Sequence, residues 1–203
     1  LRALEVGIRA LQEGSINRAV VGATDMAGDL RSVLGRHALR PFSAQGCARP
    51  FDKKADGSVI GEGAAAIVLK RLDDAQQDGD RIYAVIRGAG SAVGGRVDDT
   101  VPDQQTCSLA LERTFHDTGI SPAEVTYLET DGSGSLPEDG MEADVLGSFF
   151  GAEPNETPCY IGSVKADIGH AGAASGLASL VKTALCLDRQ VLPPVRFTET
   201  VRY

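Results

Sequence analysis

Apolar and polar positions follow two periods along this chain, and the periods set out its elements. Leu1, Leu4, Ile8 and Leu11 recur at helical spacing and predict a helix over residues 1–12, ended by Gly14. A short apolar run at 18–22, centred on Val20 and Val21, predicts a buried strand. A turn at 24–28 and a short helix at 30–36 follow. Residues 40–55 lose all periodicity and are rich in proline, glycine and charge, which in a compact domain marks a functional segment. Apolar runs at 64–69 and 82–89 predict two further strands around a short acidic helical turn at 72–79, and glycines bend the chain at 88–95. Beyond this point strands and helices alternate. A helix at 104–118 is stopped by Gly119, and Ser121-Pro122-Ala123-Glu124 has the form of a helix start that makes one short turn. A strand at 125–129, a loop at 130–137 and a helix at 140–150 come next. A strand at 160–164 then leads to a helix at 173–188 with Leu177, Leu180, Val181, Ala184 and Leu185 on one face. Pro193-Pro194 in the tail 191–197 suits an edge strand. The alternation predicts α/β layers with a largely parallel sheet.

Two of the predicted strands, 125–129 and 160–164, empty into polar loops. Parallel neighbours would bring Thr130–Ser135 and Ala166–His170 to one sheet edge, where open α/β folds place their chemistry. Asp131 and His170 would then face a common site. His170 also precedes the helix at 173–188, whose N–H groups and positive dipole end favour a neutral imidazole and attract developing negative charge. The plainer reading of His170 is a structural histidine on a tight turn, and of Asp131 a turn aspartate before glycine. Lys165, five residues before His170, and glycines at 162, 169, 172 and 176 weigh towards a site. The stretch Asp56–Gly63, with glycines at 57, 61 and 63, reads as a glycine-bearing turn before a strand. It lacks the lysine and hydroxyl of a Walker phosphate loop.

Composition narrows the classes. The chain has 203 residues, 42% of them hydrophobic, enough for one domain or two small packed halves. A formal net charge of -8 argues against nucleic acid as a partner. No apolar run approaches the roughly 18 residues that a membrane span needs. Cys47, Cys107, Cys159 and Cys186 follow neither a disulfide framework nor a metal-ligand spacing, and fit reduced thiols in a cytoplasm. The helical pattern is already under way at Leu1, with no Met start, so the expectation is a piece of something longer.

Several motifs, in register over nearly the whole chain, resemble one family. Arg49-Pro50-Phe51-Asp52, then Ala55-Asp56-Gly57-Ser58-Val59-Ile60-Gly61-Glu62-Gly63-Ala64-Ala65, then Val68-Leu69-Lys70-Arg71-Leu72 resemble the middle of a β-ketoacyl synthase. Glu129-Thr130-Asp131-Gly132-Ser133-Gly134 resembles that family's Glu-Ala-His-Gly-Thr-Gly loop. Gly162-Ser163-Val164-Lys165 through Ile168-Gly169-His170 resembles its lysine and second-histidine loop, and Leu192-Pro193-Pro194 its exit. Gly22-Ala23-Thr24-Asp25-Met26-Ala27-Gly28-Asp29, with Arg71-Leu72-Asp73-Asp74-Ala75, is most similar to ketosynthase domains of polyunsaturated-fatty-acid synthases and related iterative polyketide synthases.

The resemblance implies an α/β, thiolase-like fold layered α-β-α-β-α, here partial: residues 1–95 ending the N-terminal half with its connecting segment, and 96–203 forming the C-terminal half. It implies an acyltransferase in the cytoplasm that performs decarboxylative Claisen condensation, with a cysteine taking the acyl chain from an acyl carrier protein and two histidines handling the malonyl unit. No metal or redox cofactor is implied, since phosphopantetheine arrives on the carrier. A homodimer, or pairing with a second ketosynthase-like domain, is implied as the assembly. Carried over by position, His170 bonds the malonyl thioester or enolate oxygen, Lys165 orients the loop and its charge partners, and Asp131 occupies the place of the family's first histidine. Thr130, Gly132, Ser133, Ser135 and Gly172 shape the thioester pocket. Two departures stand out: none of the four cysteines fits the family's nucleophile elbow, which lies just before the helix that Leu1-Arg2-Ala3-Leu4-Glu5 resembles, and Asp131 replaces a histidine. The chain alone is therefore expected not to condense anything. A non-elongating or chain-length-factor-like partner that binds acyl carrier is the alternative. A thiolase-type enzyme using coenzyme A would want a second reactive cysteine near the C-terminus, and a nucleotide-binding protein would want a phosphate loop opening a helix.

Overall fold

The structure, a computed structural model, describes residues 1–95, 101–116, 118–151 and 158–196. The chain divides into two compact units that interleave along the sequence. The first comprises Leu1–Met26, Glu62–Ile86 and Ala171–Pro193; the second comprises the described residues of Ala27–Gly61, Arg87–His170 and Pro194–Tyr203.

In the first unit, α1 (Arg2–Gln12) leads to β1 (Ala19–Asp25), which pairs with β2 (Gly63–Leu69) before the short α3 (Leu72–Gln77). A 3-10 turn (Gly172–Ala174) and α7 (Ser175–Arg189) complete the unit. The β1–β2 pair is antiparallel, in register from Ala19 opposite Leu69 to Asp25 opposite Gly63. The parallel sheet expected from the alternating second half does not extend to this pair, and the ladder carries β1 through Thr24 and Asp25, where a turn was expected, because β2 offers a ladder partner at every position. The pair buries one face only. Val21 packs against α1, where a Cβ on Gly7 would come within 3.2 Å of its Cγ2. Val20 and Val68, directly opposite each other, are 75% and 65% exposed, so the run centred on Val20 and Val21 is half-buried rather than buried. Arg71 ties the end of α1 to the sheet, donating to the carbonyls of Leu11 at 3.1 Å and Ile16 at 2.8 Å and to Asn17 Oδ1 at 2.6 Å. Asp25, at the end of β1, accepts the Ala173 N–H at 2.9 Å and so starts the turn into α7.

The second unit contains α2 (Leu30–Leu39), α4 (Gln104–Phe115), a 3-10 turn (Pro122–Glu124), β3 (Tyr127–Glu129), α5 (Leu136–Phe150), β4 (Tyr160–Gly162) and the short α6 (Lys165–Ile168). Asp29 caps α2 through the Ser32 N–H and Asp103 caps α4 through the Thr106 N–H, each at 2.9 Å. The Ser121 turn carries a full capping box with Glu124, as its sequence predicts. Helix α5 begins at Leu136, earlier than the expected 140: Pro137 sits in the first turn, where its missing N–H is no loss, and Gly140 is accommodated inside the helix. Phe115, Phe149 and Phe150 form an aromatic cluster between α4 and α5 with ring centroids 5.1 to 5.7 Å apart.

The β3–β4 pair is parallel, with Tyr127, Leu128 and Glu129 opposite Tyr160, Ile161 and Gly162. Among the described residues neither 82–89 nor 191–196 forms a strand, because no neighbouring strand completes a ladder with them; Phe197, the last residue of the expected tail strand, lies outside the described residues, as does Asp117 near the end of the expected helix 104–118. The glycine-rich bend has a packing reason instead. A Cβ on Gly88 would lie 2.4 Å from the Thr114 carbonyl oxygen, and one on Gly90 2.5 Å from that of Ala110, so this backbone lies directly against α4.

Candidate active site

Parallel pairing of β3 and β4 puts both of their C-terminal loops at one edge of the second unit, as the sequence pattern predicts. The loops are fastened to each other by side chains of their own strands. Thr130 is buried and donates its N–H and hydroxyl to the Gly162 carbonyl at 2.7 and 2.8 Å. Ser163 returns the contact, donating to the Asp131 carbonyl at 3.0 Å. Glu129 accepts the Val164 N–H at 2.5 Å with one oxygen and the Tyr127 hydroxyl at 2.6 Å with the other.

The first loop is also held from α5. Glu142 accepts the N–H groups of Asp131 and Gly132, at 2.7 and 2.9 Å, one on each carboxylate oxygen. Burial pushes the Glu142 carboxyl up, partly offset by those two N–H groups. Asp139 is fully buried and accepts three donors: the Phe51 N–H at 2.8 Å, the Ser133 hydroxyl at 3.2 Å and the Gly134 N–H at 3.2 Å. Burial raises its carboxyl as well, against those bonds. Phe51 has φ 59, a conformation that ordinary residues avoid, and its N–H bond to Asp139 helps to hold it there. Sequence reasoning passed over Asp139 and Glu142. Placing the helix start at Leu136 rather than 140 would have shown them one turn apart on a face adjoining the loop.

The segment Gly57–Gly61 braces both loops through backbone alone. Gly57 donates to the Gly134 carbonyl at 3.0 Å. The His170 N–H donates to the Val59 carbonyl at 2.7 Å, and the His170 carbonyl accepts the Gly61 N–H at 3.1 Å. Gly57 has φ +142, and a Cβ there would strike the Pro41 carbonyl at 2.5 Å. The glycine-bearing stretch is therefore neither a phosphate loop nor a simple turn. It is a strap that requires close backbone approach.

His170 is half-buried. Burial lowers its imidazole below the ordinary histidine value, the Lys165 cation lowers it further with Arg40 and Arg36, and Asp131 opposes them. The neutral form is thus favoured, as a hydrogen-bonding group at an oxyanion requires. Lys165, 5% exposed, forms an ion pair with Asp131. Burial acts to raise the Asp131 carboxyl, but the charge and hydrogen bond of Lys165, with Arg40 and His170, outweigh it, and the carboxyl lies below its usual range. Asp131 is therefore anionic at neutral pH, with its charge compensated.

Of the pocket residues expected from sequence, Ser133 turns inward, since its hydroxyl donates to Asp139 and accepts the Ser135 N–H at 3.1 Å. Gly132 has φ +48, and a Cβ there would come within 2.7 Å of Ser163 Cβ, so it is needed for the contact between loops. Gly172 belongs to the first unit, where its φ is +46 and a Cβ would collide with the Asp25 carboxylate. Cys107 lies in α4 with its thiol pushed up by burial and by the charges of Glu142, Asp103 and Asp131, the reverse of an activated nucleophile. Cys186 lies within α7. Among the described residues no helix is long and apolar enough to cross a membrane.

The fold is that of the thiolase-like class. A ketosynthase from module 6 of the bacillaene synthase of Bacillus subtilis superposes with a TM-score of 0.92 at 32% identity, covering 98% of this chain and 36% of that one. The chain belongs to the β-ketoacyl synthase family: residues 1–75 match its N-terminal domain and 83–198 its C-terminal domain. Polyketide synthase ThaG of Burkholderia thailandensis is 39% identical over 96% of the chain, which spans 4% of that protein's length. A further solved structure, a type II acyl-carrier protein in complex with its ketosynthase bound to the hexaketide, has a TM-score of 0.89 at 26% identity and covers 99% of this chain and 50% of that one. The chain therefore spans well under two thirds of the relatives that it matches.

Proposed function

We propose that this chain carries the histidine side of a ketosynthase active site in a polyketide or polyunsaturated-fatty-acid synthase, joining acyl and malonyl units on acyl carrier protein. In this reading the malonyl thioester loses carbon dioxide and the electron pair left behind becomes an enolate. The enolate carbon attacks the carbonyl of an acyl chain held as a thioester on a cysteine supplied from outside this chain, and the cysteine sulfur leaves. His170 donates a hydrogen bond to the oxygen on which the enolate charge develops. The observation that carries the reading is the placement of His170: its backbone is clamped between Val59 and Gly61 at the edge where the two loops meet, in surroundings whose burial favours the neutral imidazole. The carrier would bring phosphopantetheine as its substrate arm, and the domain would pair with a second copy or a second ketosynthase-like domain in the cytoplasm. Support for the carrier comes from the related ketosynthase solved together with its acyl-carrier protein.

In the complete ketosynthase domain, His170→Ala should slow release of carbon dioxide from malonyl-carrier by roughly 10²- to 10³-fold while carrier binding persists. Unchanged release in a folded variant would make His170 structural. A second reading, a non-elongating partner, is favoured by Asp131 in place of a histidine donor. Condensation by the wild-type complete domain separates the two: it proceeds if the domain elongates and is absent if it does not.

A further inference from the structure

We propose that Thr130 is a positioning residue rather than a wall of the thioester pocket: its buried hydroxyl fixes the register in which the loop after β3 lies on the loop after β4, and so delivers Asp131 to the ammonium of Lys165. The inference rests on the reading of these two loops as the site. It begins from the ladder that they leave. The β3–β4 pair is three residues long. Its apolar pattern specifies little, since Tyr160 and Ile161 are 58% and 40% exposed, and a strand without a buried face slips readily along its neighbour.

Polar bonds at the exit supply what the ladder lacks. The Gly162 carbonyl has two lone pairs, and Thr130 fills both: its N–H donates at 2.7 Å, continuing the ladder, and its hydroxyl donates at 2.8 Å. Thr130 is 7% exposed, so this hydroxyl is committed to the strand junction. Asp131 is the next residue. Ser163 donates to the Asp131 carbonyl at 3.0 Å and its hydroxyl accepts the Lys165 N–H at 3.3 Å, while the Asp131 carboxylate pairs with the Lys165 ammonium. Lys165 is 5% exposed, so a slip that took Asp131 from it would strand a buried cation. The family loop that this stretch resembles has alanine at the position of Thr130, which would keep the N–H bond and lose the hydroxyl. The neighbouring departures Thr130 and Asp131 therefore each add a bond between the same two segments.

The test is made in the complete ketosynthase domain with nitrogen-labelled lysine. The Lys165 ammonium, identified by the loss of its signal in Lys165→Met, reports the ion pair directly by NMR. Thr130→Val removes the hydroxyl and keeps the shape, and the N–H at 130 still satisfies the Gly162 carbonyl, so this variant should fold. Its Lys165 signal should shift towards that of a free ammonium and exchange faster with water, and kcat for carbon dioxide release should fall roughly tenfold at unchanged KM. Thr130→Ser returns the hydroxyl and should restore both. An unchanged Lys165 signal or an unchanged kcat in Thr130→Val, or a Thr130→Ser variant as impaired as Thr130→Val, would overturn the proposal, because a threonine that merely stabilises the fold moves neither readout. A wild-type domain that releases no carbon dioxide would fail the proposed function, and the Lys165 signal would still decide this inference.

Discussion

A Cβ on Gly61 would lie 2.2 Å from the carbonyl oxygen of Ile168, closer than any real side-chain contact, so the strap and the histidine loop touch backbone to backbone. The Gly61 N–H bond to the His170 carbonyl depends on that approach. Position 61 thereby sets where the imidazole stands, although glycine contributes no functional group.

Gly61→Ala should therefore push the 168–170 segment away and lower carbon dioxide release by roughly tenfold to a hundredfold, the scale set by displacing a reacting group by about 1 Å. Gly63→Ala is the matched control. The nearest atom to a Cβ there is the Ala171 Cβ at 3.9 Å, an ordinary contact. Equal activity in the two variants, both folded by circular dichroism, would show that the strap does not position the histidine.

Asp139 and Asp131 should give the domain opposite slopes of stability against pH. Burial raises the folded-state value of Asp139, so the native state holds its proton more tightly than the unfolded chain does. Its contribution is present below the ordinary carboxylate range and declines as pH rises from that range towards the raised value. Asp131 is lowered in the folded state, so its contribution is present above the ordinary range and is lost as pH falls through the lowered value. Urea denaturation at a series of pH values should show a shallower decline on the rising side for Asp139→Asn and a shallower acid loss for Asp131→Asn. Asp139→Ala, which strands three donors in the interior, should cost about 3 kcal/mol or more at every pH. Parallel curves for wild type and both Asn variants would count against the assigned directions.

Val20 and Val68 face each other across β1 and β2 with most of their surface in solvent. Such a pair on the outer face of a ladder favours association. The 203-residue chain on its own should therefore self-associate in sedimentation experiments. Val20→Thr with Val68→Thr should shift it towards monomer, since threonine keeps the β-branched preference for strand while adding a polar group. A wild-type chain that is already monomeric and melts cooperatively would refute this.

The chain's local patterns already contained its long helices, its four strands, the loops after β3 and β4, and the family motifs around Lys165 and His170, but they also suggested strands at 82–89 and in the tail, where residues 191–196 find no ladder partner. Period and turn chemistry are properties of neighbouring residues, and they located β3 and β4 although not the pairing between them. The sequence also exposed Asp131 as a departure. What it could not convey was the meaning of that departure, because Asp131 and Lys165 meet across 34 positions of chain and Asp139 reaches Phe51 across 88. The antiparallel partner of β1, the strap role of Gly57–Gly61 and the clamp of Glu142 are likewise contacts between distant segments. Tertiary structure decided them, because burying a carboxylate or a lysine requires that each find its partner in space, and the position of that partner is not a local property of the chain.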